Sequence, residues 1–313
     1  DEIQEVSGFE SGLKFLLNRG YKIYITGSSS KIIVEDLASS LRGKVLNFYL
    51  YPLSFSEYLR FKGVEEKHQN KITTKKKAFF VNLLMDFLKW GGFPEVVLSE
   101  KEETKTNLLS SYIDIMLFRD IIERHSVKNI HLIDKLFWKI VGSFTKEISV
   151  NKWYNDFKSQ GLKISKDTLY LYLKYFEDSF FVRLINNSNK GPGGFKKVYL
   201  IDNGIYNHVK SFPSDKGKSF ENLIFLDLLR QGDSPLSFFK SSRGETDFIY
   251  KNGAFQVCFS LSEENIRREL YGLDQVIPLY PGNNRKIIVL EESKISVSTN
   301  SAVYYLDWLN GEE

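Results

Sequence analysis

The chain has 313 residues and a mass of 36.4 kDa, enough for two or three domains that each bury a core of their own. Hydrophobic residues make up 42%, charged residues 26% and aromatic residues 15%, which excludes intrinsic disorder and collagen-like or low-complexity structure. Forty-three Lys and Arg against 39 Asp and Glu leave a net charge of +4, too mild by itself to argue for nucleic acid or an anionic membrane, so any basic footprint has to be local. Cys258 is the single cysteine and can form no internal disulfide. With no apolar run near the roughly 18 residues of a membrane span and no signal peptide, a cytoplasmic protein without a membrane partner is expected. The chain begins at Asp1 rather than at a methionine, which reads as missing natural N-terminal sequence.

In chain order, a helix is expected over 11–18 with Gly20 as its stop, then a strand over 21–26 running into Gly27-Ser28-Ser29-Ser30. A helix over 31–41 ending at Arg42-Gly43 and a second apolar strand over 45–50, stopped by Pro52, complete a unit of parallel-sheet α/β grammar. Residues 60–77 carry seven Lys or Arg with little apolar periodicity and read as a solvated connector. From 78 to 112 apolar residues fall at helical spacing (Phe79, Phe80, Leu83, Leu84, Phe87, Leu88), broken by Gly91-Gly92-Phe93-Pro94. A helix over 112–122 ends in a charged rim of Arg119, Asp120, Glu123 and Arg124.

Helices are then expected over 131–144, over 150–160 behind Ser149 as a cap, and over 166–178 behind Ser165, with Gly161 in the short turn between the last two. Strands over 181–185 and 197–201 around Gly191-Pro192-Gly193-Gly194 complete a winged helix-turn-helix outline. The helix over 166–178 sets Lys166 and Lys174 against Asp167, Glu177 and Asp178, and its Tyr170, Leu171, Tyr172, Leu173 and Tyr175 fit packing. A spacer or protein contact therefore suits it better than base-specific DNA reading. The remainder alternates: a helix over 219–230, strands over 237–240, 245–250 and 254–260, a helix over 263–276, and strands over 285–290 and 302–306. No internal repeat is visible.

An ordered set of short blocks resembles a family of archaeal and bacterial P-loop ATPases of the AAA type. The set opens with Asp1-Glu2-Ile3-Gln4-Glu5-Val6, Thr26-Gly27-Ser28-Ser29-Ser30, Leu41-Arg42-Gly43-Lys44 and Pro52-Leu53-Ser54-Phe55. It continues with Trp90-Gly91-Gly92-Phe93-Pro94-Glu95, Arg119-Asp120-Ile121-Ile122 and Lys197-Val198-Tyr199-Leu200-Ile201-Asp202-Asn203-Gly204. It closes with residues 217–222, Glu245-Thr246-Asp247-Phe248 and Gln256-Val257, so it covers nearly the whole chain.

By that resemblance Asp1 and Glu2 form the Walker B pair, Asp1 holding Mg²⁺ and Glu2 polarising the attacking water. Ser28 is the polar sensor near the γ-phosphate, and Arg42 a phosphate-sensing arginine. The Gly-rich, Lys-bearing phosphate loop that such proteins place ahead of Walker B is not in the sequence. The chain as it stands is therefore expected to bind ATP weakly or not at all, with the nucleotide held through an upstream segment. Sites of this type often lie between subunits, so a homo-oligomer is an expected assembly, although nothing identifies an arginine acting in trans.

The resemblance further implies a C-terminal domain similar to the restriction-endonuclease-like, PD-(D/E)xK fold. There Glu221 on a helix and Asp247 on a strand hold Mg²⁺, with Glu245 beside them. Gln256 stands where a third carboxylate belongs and Cys258 where the lysine belongs. Reading Asn252-Gly253 as a type I′ turn pairs Ile249 with Gln256 and Asp247 with Cys258. Alternation then puts Glu245, Asp247, Ile249, Gln256 and Cys258 on one face, and Phe248, Tyr250, Phe255, Val257 and Phe259 on the other. A Gln offers only a neutral oxygen and a thiol no fixed positive charge, so cleavage is doubtful. Lys240, Arg267 or Arg268 are the substitutes within reach in sequence.

The expectation is thus an α/β multidomain protein: residues 1–66 the remainder of an AAA-type ATPase core, 67–128 a helical lid, 129–202 a winged helix and 203–313 a nuclease-like domain. Its function would be an ATP-driven molecular switch whose C-terminal arm binds DNA or a protein partner. The alternatives are a Mg²⁺-dependent nuclease regulated by ATP and a non-catalytic interaction scaffold.

Overall fold

The computed structural model describes residues 3, 6, 8–27, 45–64, 74–190, 194–210, 215–232, 234–280, 284–291 and 302–309. Asp1, Glu2, Ser28 and Arg42 lie outside the described residues, as do the helix expected over 31–41 and the turn at 191–193. The fold is mixed α/β, with twelve α-helices and one eight-stranded mixed sheet among the described residues.

After α1 (Phe9–Asn18), residues 21–27 and 45–50 are in neither helix nor strand, and among the described residues they join no ladder, which corrects the expected parallel pair. The apolar character read there as strand is real, yet much of it faces outward: Tyr24, Leu46, Phe48 and Leu50 are each more than four-fifths exposed. Ile23, Ile25 and Val45 instead pack with Leu13 of α1. Helix α2 (Phe55–Phe61) starts in a capping box. Ser54 N donates to Glu57 Oε2 at 2.8 Å, and Glu57 N donates to Ser54 Oγ at 3.3 Å.

The supposed connector ends sooner than its charge implied, because α3 spans Thr74–Trp90 and takes Lys75, Lys76 and Lys77 into its first turns. Their long stems cover apolar neighbours, with Lys77 Nζ over the Tyr304 ring at 4.1 Å. The helices α4 (Pro94–Leu98) and α5 (Glu102–Ile115) follow, and α5 continues into a π-helical stretch, Met116–Glu123. The charged rim expected there is partly interior: Asp120 is buried and accepts from Arg119 Nε at 3.3 Å and Arg124 Nη2 at 3.2 Å.

Next come α6 (Ile130–Gly142), β1 (Glu147–Ile148), α7 (Val150–Ser159), α8 (Lys166–Asp178), β2 (Val182–Asn187) and β3 (Lys196–Leu200). The caps fall where the sequence placed them, Ser149 Oγ accepting from Lys152 N and Ser165 Oγ from Thr168 N. Leu169, Tyr172, Leu173 and Phe176 of α8 are buried, but Tyr170 and Leu171 are exposed rather than packed.

Helices α9 (Asn203–Lys210) and α10 (Lys216–Arg230) lead to β4 (Leu236–Lys240), β5 (Glu245–Tyr250), β6 (Gly253–Ser260), α11 (Ile266–Asp274), β7 (Arg285–Glu291), β8 (Ala302–Tyr304) and α12 (Tyr305–Leu309). The strand order is β1-β3-β2-β4-β5-β6-β7-β8, with β2–β4, β6–β7 and β7–β8 parallel and the other neighbours antiparallel. One face of the sheet packs Phe248, Tyr250 and Phe255 against Phe220, Leu223 and Phe225 of α10, in a core continuous with the N-terminal helices. The other packs Ile249, Ala254, Cys258 and Ile287 against Leu273 of α11.

Two ties fasten the front of the chain to this body. Buried Asp202 accepts from Gly92 N at 2.6 Å and from Gly204 N at 2.7 Å, which clamps the loop ahead of α4 onto the start of α9. Arg230, at the end of α10, donates from Nη2 to Pro52 O at 2.8 Å and Leu53 O at 3.3 Å, while Nη1 holds Asp227 at 3.1 Å.

Candidate functional site

Glu221, Glu245 and Asp247 come together, and what joins them is a lysine. Lys197 and Tyr199 are two apart on β3 and so share a face. Lys197 Nζ lies 3.2 Å from Glu221 Oε1, 2.5 Å from Glu245 Oε1 and 3.3 Å from Asp247 Oδ1. Tyr199 donates from its hydroxyl to the same Glu221 oxygen at 2.7 Å. Flat strand spacing would hold β3 and β5, three places apart in the sheet, about 14 Å from each other. The long Lys197 side chain covers much of that span, its Nζ lying 5.6 Å from the centre of the Phe238 ring on β4. The β2–β4 junction between them is short, pairing only Asn186 with Ser237 and Asn187 with Phe238.

Glu221 is carried by α10, whose N-terminus is capped by Asp215, and the apolar Phe220 and Ile224 around it fix the rotation of the helix. Glu245 and Asp247 owe their placement to an irregularity in β5. Ser237 pairs with Ile249 and Phe239 with Thr246, two steps on β4 against three on β5, so β5 carries an extra residue at Asp247-Phe248. The bulge flips the alternation. Thr246 turns to α11, donating to Gly272 O at 2.5 Å, while Glu245 and Asp247 reach Lys197 and Phe248 joins the α10 core.

This corrects the single face expected for Glu245, Asp247, Ile249, Gln256 and Cys258. Ile249 and Cys258 pack on the α11 side, and Gln256 bonds to α11 itself. The hairpin register is corrected too. Ile249 pairs with Ala254 and Tyr250 with Gly253, so the two-residue turn is Lys251-Asn252, with Lys251 taking the positive φ of 51°. The register differs from the expected one by two residues on β6, which leaves each residue of β6 on its face.

Gln256 supports the site from behind. Its Oε1 accepts from Asp247 N at 2.7 Å and its Nε2 donates to buried Glu269 at 3.0 Å, and Glu269 in turn holds Arg268 Nη2 at 2.5 Å. The thiol of Cys258 donates to Ser260 O at 3.0 Å, and burial, with Glu269 and Asp247 adding to it, pushes it up to about 11. Of the substitute cations considered, Lys240 reaches Glu245 Oε2 at 3.0 Å and also contacts Glu147, whereas Arg268 is taken by Glu269 and Arg267 is exposed. Lys197 escaped the sequence reading. Its signal was a lysine two residues before a tyrosine, followed by Val198 and Leu200 in an apolar strand end.

Burial lowers the pKa of Lys197, but Glu221, Tyr199, Asp247 and Glu245 together hold it well above the ordinary lysine value. Burial pushes Glu221 up to about 7 against the pull of Lys197. Glu245 moves the other way, because the two lysines outweigh its partial burial.

A divalent metal is the group the resemblance implies here, and the donors as arranged do not fit one. The three oxygens that converge, Glu221 Oε1, Glu245 Oε1 and Asp247 Oδ1, are all on the ammonium. Asp247 Oδ2 is held by Val257 N at 3.0 Å, Glu245 Oε2 by Lys240, and both polar atoms of Gln256 are engaged. Among the described residues no group of three His, Cys, Asp or Glu is arranged to hold a metal ion. None of the described helices is long and apolar enough to cross a membrane.

Comparison with known proteins divides the chain differently from its fold. Residues 1–59 match the model of a family described as an AAA domain, and residues 81–216 match that of a domain of unknown function, DUF8612. An uncharacterized protein of Methanocaldococcus jannaschii is 38% identical over 88% of this chain and 64% of its own length. An uncharacterized protein of Haemophilus influenzae is 28% identical over 99% of this chain and 76% of its own. The chain thus spans a little under two thirds of the methanogen relative. No solved structure matches it.

Proposed function

We propose that the chain is part of an AAA-type, ATP-hydrolysing molecular switch whose nucleotide-facing portion is residues 1–66 and whose C-terminal unit is a nuclease-like arm that binds nucleic acid or a protein. The observation that carries this reading is the similarity of residues 1–59 to an AAA domain. Asp1 and Glu2 are assigned to Mg²⁺ and the attacking water, Ser28 to the γ-phosphate, and Arg42 to phosphate sensing. Two structural facts agree with it. Ile3 N donates to Thr26 O at 3.4 Å, so the residues after Asp1-Glu2 lie beside those leading to Ser28. The exposed Leu46, Phe48 and Leu50 have the composition of a strand buried between layers.

Arg230 supplies a route from switch to arm. It bonds to Pro52 and Leu53, which follow the segment 45–50, and it ends the helix that carries Glu221. A shift of that segment on nucleotide binding or hydrolysis pulls on α10. The winged helix assigned to 129–202 agrees with the order α6-β1-α7-α8-β2-β3, and the nuclease-like arm with α10-β4-β5-β6-α11-β7.

The test is phosphate release from ATP by the full-length natural polypeptide, with and without DNA. Turnover abolished by Glu2→Gln supports the switch; no turnover by the unaltered protein refutes it. A second reading, a Mg²⁺-dependent nuclease, is favoured by one observation, the gathering of Lys197 with Glu221, Glu245 and Asp247. Cleavage of DNA or RNA with Mg²⁺ or Mn²⁺, lost in Asp247→Ala, would put it first.

A further inference from the structure

The carboxylate cluster already contains a cation. Three elements distant in sequence, β3, β5 and α10, deliver one ammonium and three carboxylates to a single point, and the ammonium touches one oxygen of each. A six-coordinate Mg²⁺ would need those same oxygens at about 2.0–2.1 Å, so metal and ammonium compete for one position. Lys197 is not placed to yield it. Its side chain is 3% exposed, Nζ sits 5.6 Å from the centre of the Phe238 ring, and its strand is paired on both sides by β1 and β2. Lys240 binds the second oxygen of Glu245 and is shared with Glu147, so the only ammonium reaching all three carboxylates is that of Lys197, and the neutral Gln256 adds no further charge.

We propose that the Lys197 ammonium is the resident cation of this site, standing where a divalent metal would stand, so that the arm keeps its carboxylates assembled without metal. Taking the ammonium away leaves a three-carboxylate pocket that admits a divalent cation. The inference goes beyond the switch reading and does not depend on ATP turnover, so the failure of either leaves the other standing.

The probe is Mn²⁺ alone, followed by its electron paramagnetic resonance signal during titration and by the melting temperature in EDTA and in millimolar Mn²⁺. The unaltered protein is expected to take up no stoichiometric Mn²⁺ at this site and to melt at the same temperature in both conditions. Lys197→Ala is expected to melt lower in EDTA and to recover several degrees with Mn²⁺. That recovery should vanish in the double variant Lys197→Ala/Asp247→Asn. Stoichiometric uptake by the unaltered protein that Glu221→Gln abolishes would overturn the proposal, as would a folded Lys197→Ala variant that gains nothing from Mn²⁺. If Lys197→Ala does not fold, the titration of the unaltered protein decides: uptake lost in Glu221→Gln refutes, and no uptake supports.

Discussion

Asp202→Asn isolates the clamp between the Gly91-Gly92 loop and α9, and its cost should depend on pH in a direction that the structure dictates. The side chain is 2% exposed, and each carboxylate oxygen accepts one backbone N–H, from Gly92 and from Gly204. An amide of the same shape keeps one acceptor and turns a donor towards the other N–H. One buried bond is lost and one buried donor is left unsatisfied, about 1–3 kcal/mol.

The charge of Asp202 acts in the opposite sense. Burial pushes its carboxyl from 3.8 up to about 7, with the backbone N–H groups of Gly92, Gly204 and Ile205 and the charge of Arg230 opposing only in part. Because the folded value lies above the unfolded one, the unfolded chain releases its proton first as pH rises. The contribution of this group to stability therefore declines between about pH 4 and pH 7. A separation of about 3 pH units, at about 1.4 kcal/mol each, amounts to about 4 kcal/mol. The amide does not titrate, so Asp202→Asn should be clearly destabilising near pH 4.5 and close to neutral, or better, near pH 8. Urea unfolding followed by tryptophan fluorescence at both pH values measures this. A cost that is constant, or that grows as pH rises, refutes the reasoning.

Gly92→Ala and Gly204→Ala should each lose about 1–3 kcal/mol in the same assay, since a Cβ at either position would overlap backbone carbonyls, Leu53 O in one case and Trp90 O in the other. Lys197→Met should cost about 3–5 kcal/mol at pH 8 by leaving buried carboxylates without their cation, and less at pH 5, below the value of about 7 to which burial already pushes Glu221; urea midpoints at the two pH values give the comparison. The double variant Gln256→Glu/Cys258→Lys restores the family pattern in sequence, yet it should show no Mg²⁺-dependent cleavage of plasmid DNA and should unfold at lower urea. Both side chains lie on the α11 side, where a carboxylate at 256 would meet Glu269.

The local grammar was legible before any coordinates. Helical periodicity, the Ser149 and Ser165 caps and the alternating strands place most elements from α6 to β7 within a few residues, because these signals reside in short stretches of chain. Charge misled in two places. Lys75, Lys76 and Lys77 read as a linker, although their stems lie along a helix, and Asp120 read as rim, although it is buried between two arginines. Residues 45–50 read as a strand on composition, but a strand exists only through a ladder partner, which composition does not supply.

The candidate site divides along the same line. Glu221, Glu245 and Asp247 were identifiable as a set only through the family resemblance of the blocks that carry them. Their common face and their cation were not. One inserted residue in β5 inverts the alternation at Asp247, and the register of β4 against β5 makes that visible where the sequence of β5 alone does not. Lys197 belongs to the cluster because the strand order sets β3 three places from β5 and its side chain reaches Asp247, fifty residues further along the chain. Side-chain periodicity is a property of one segment and survives in the sequence. Which charges neutralise one another is a property of distances between segments, and only the folded chain sets those.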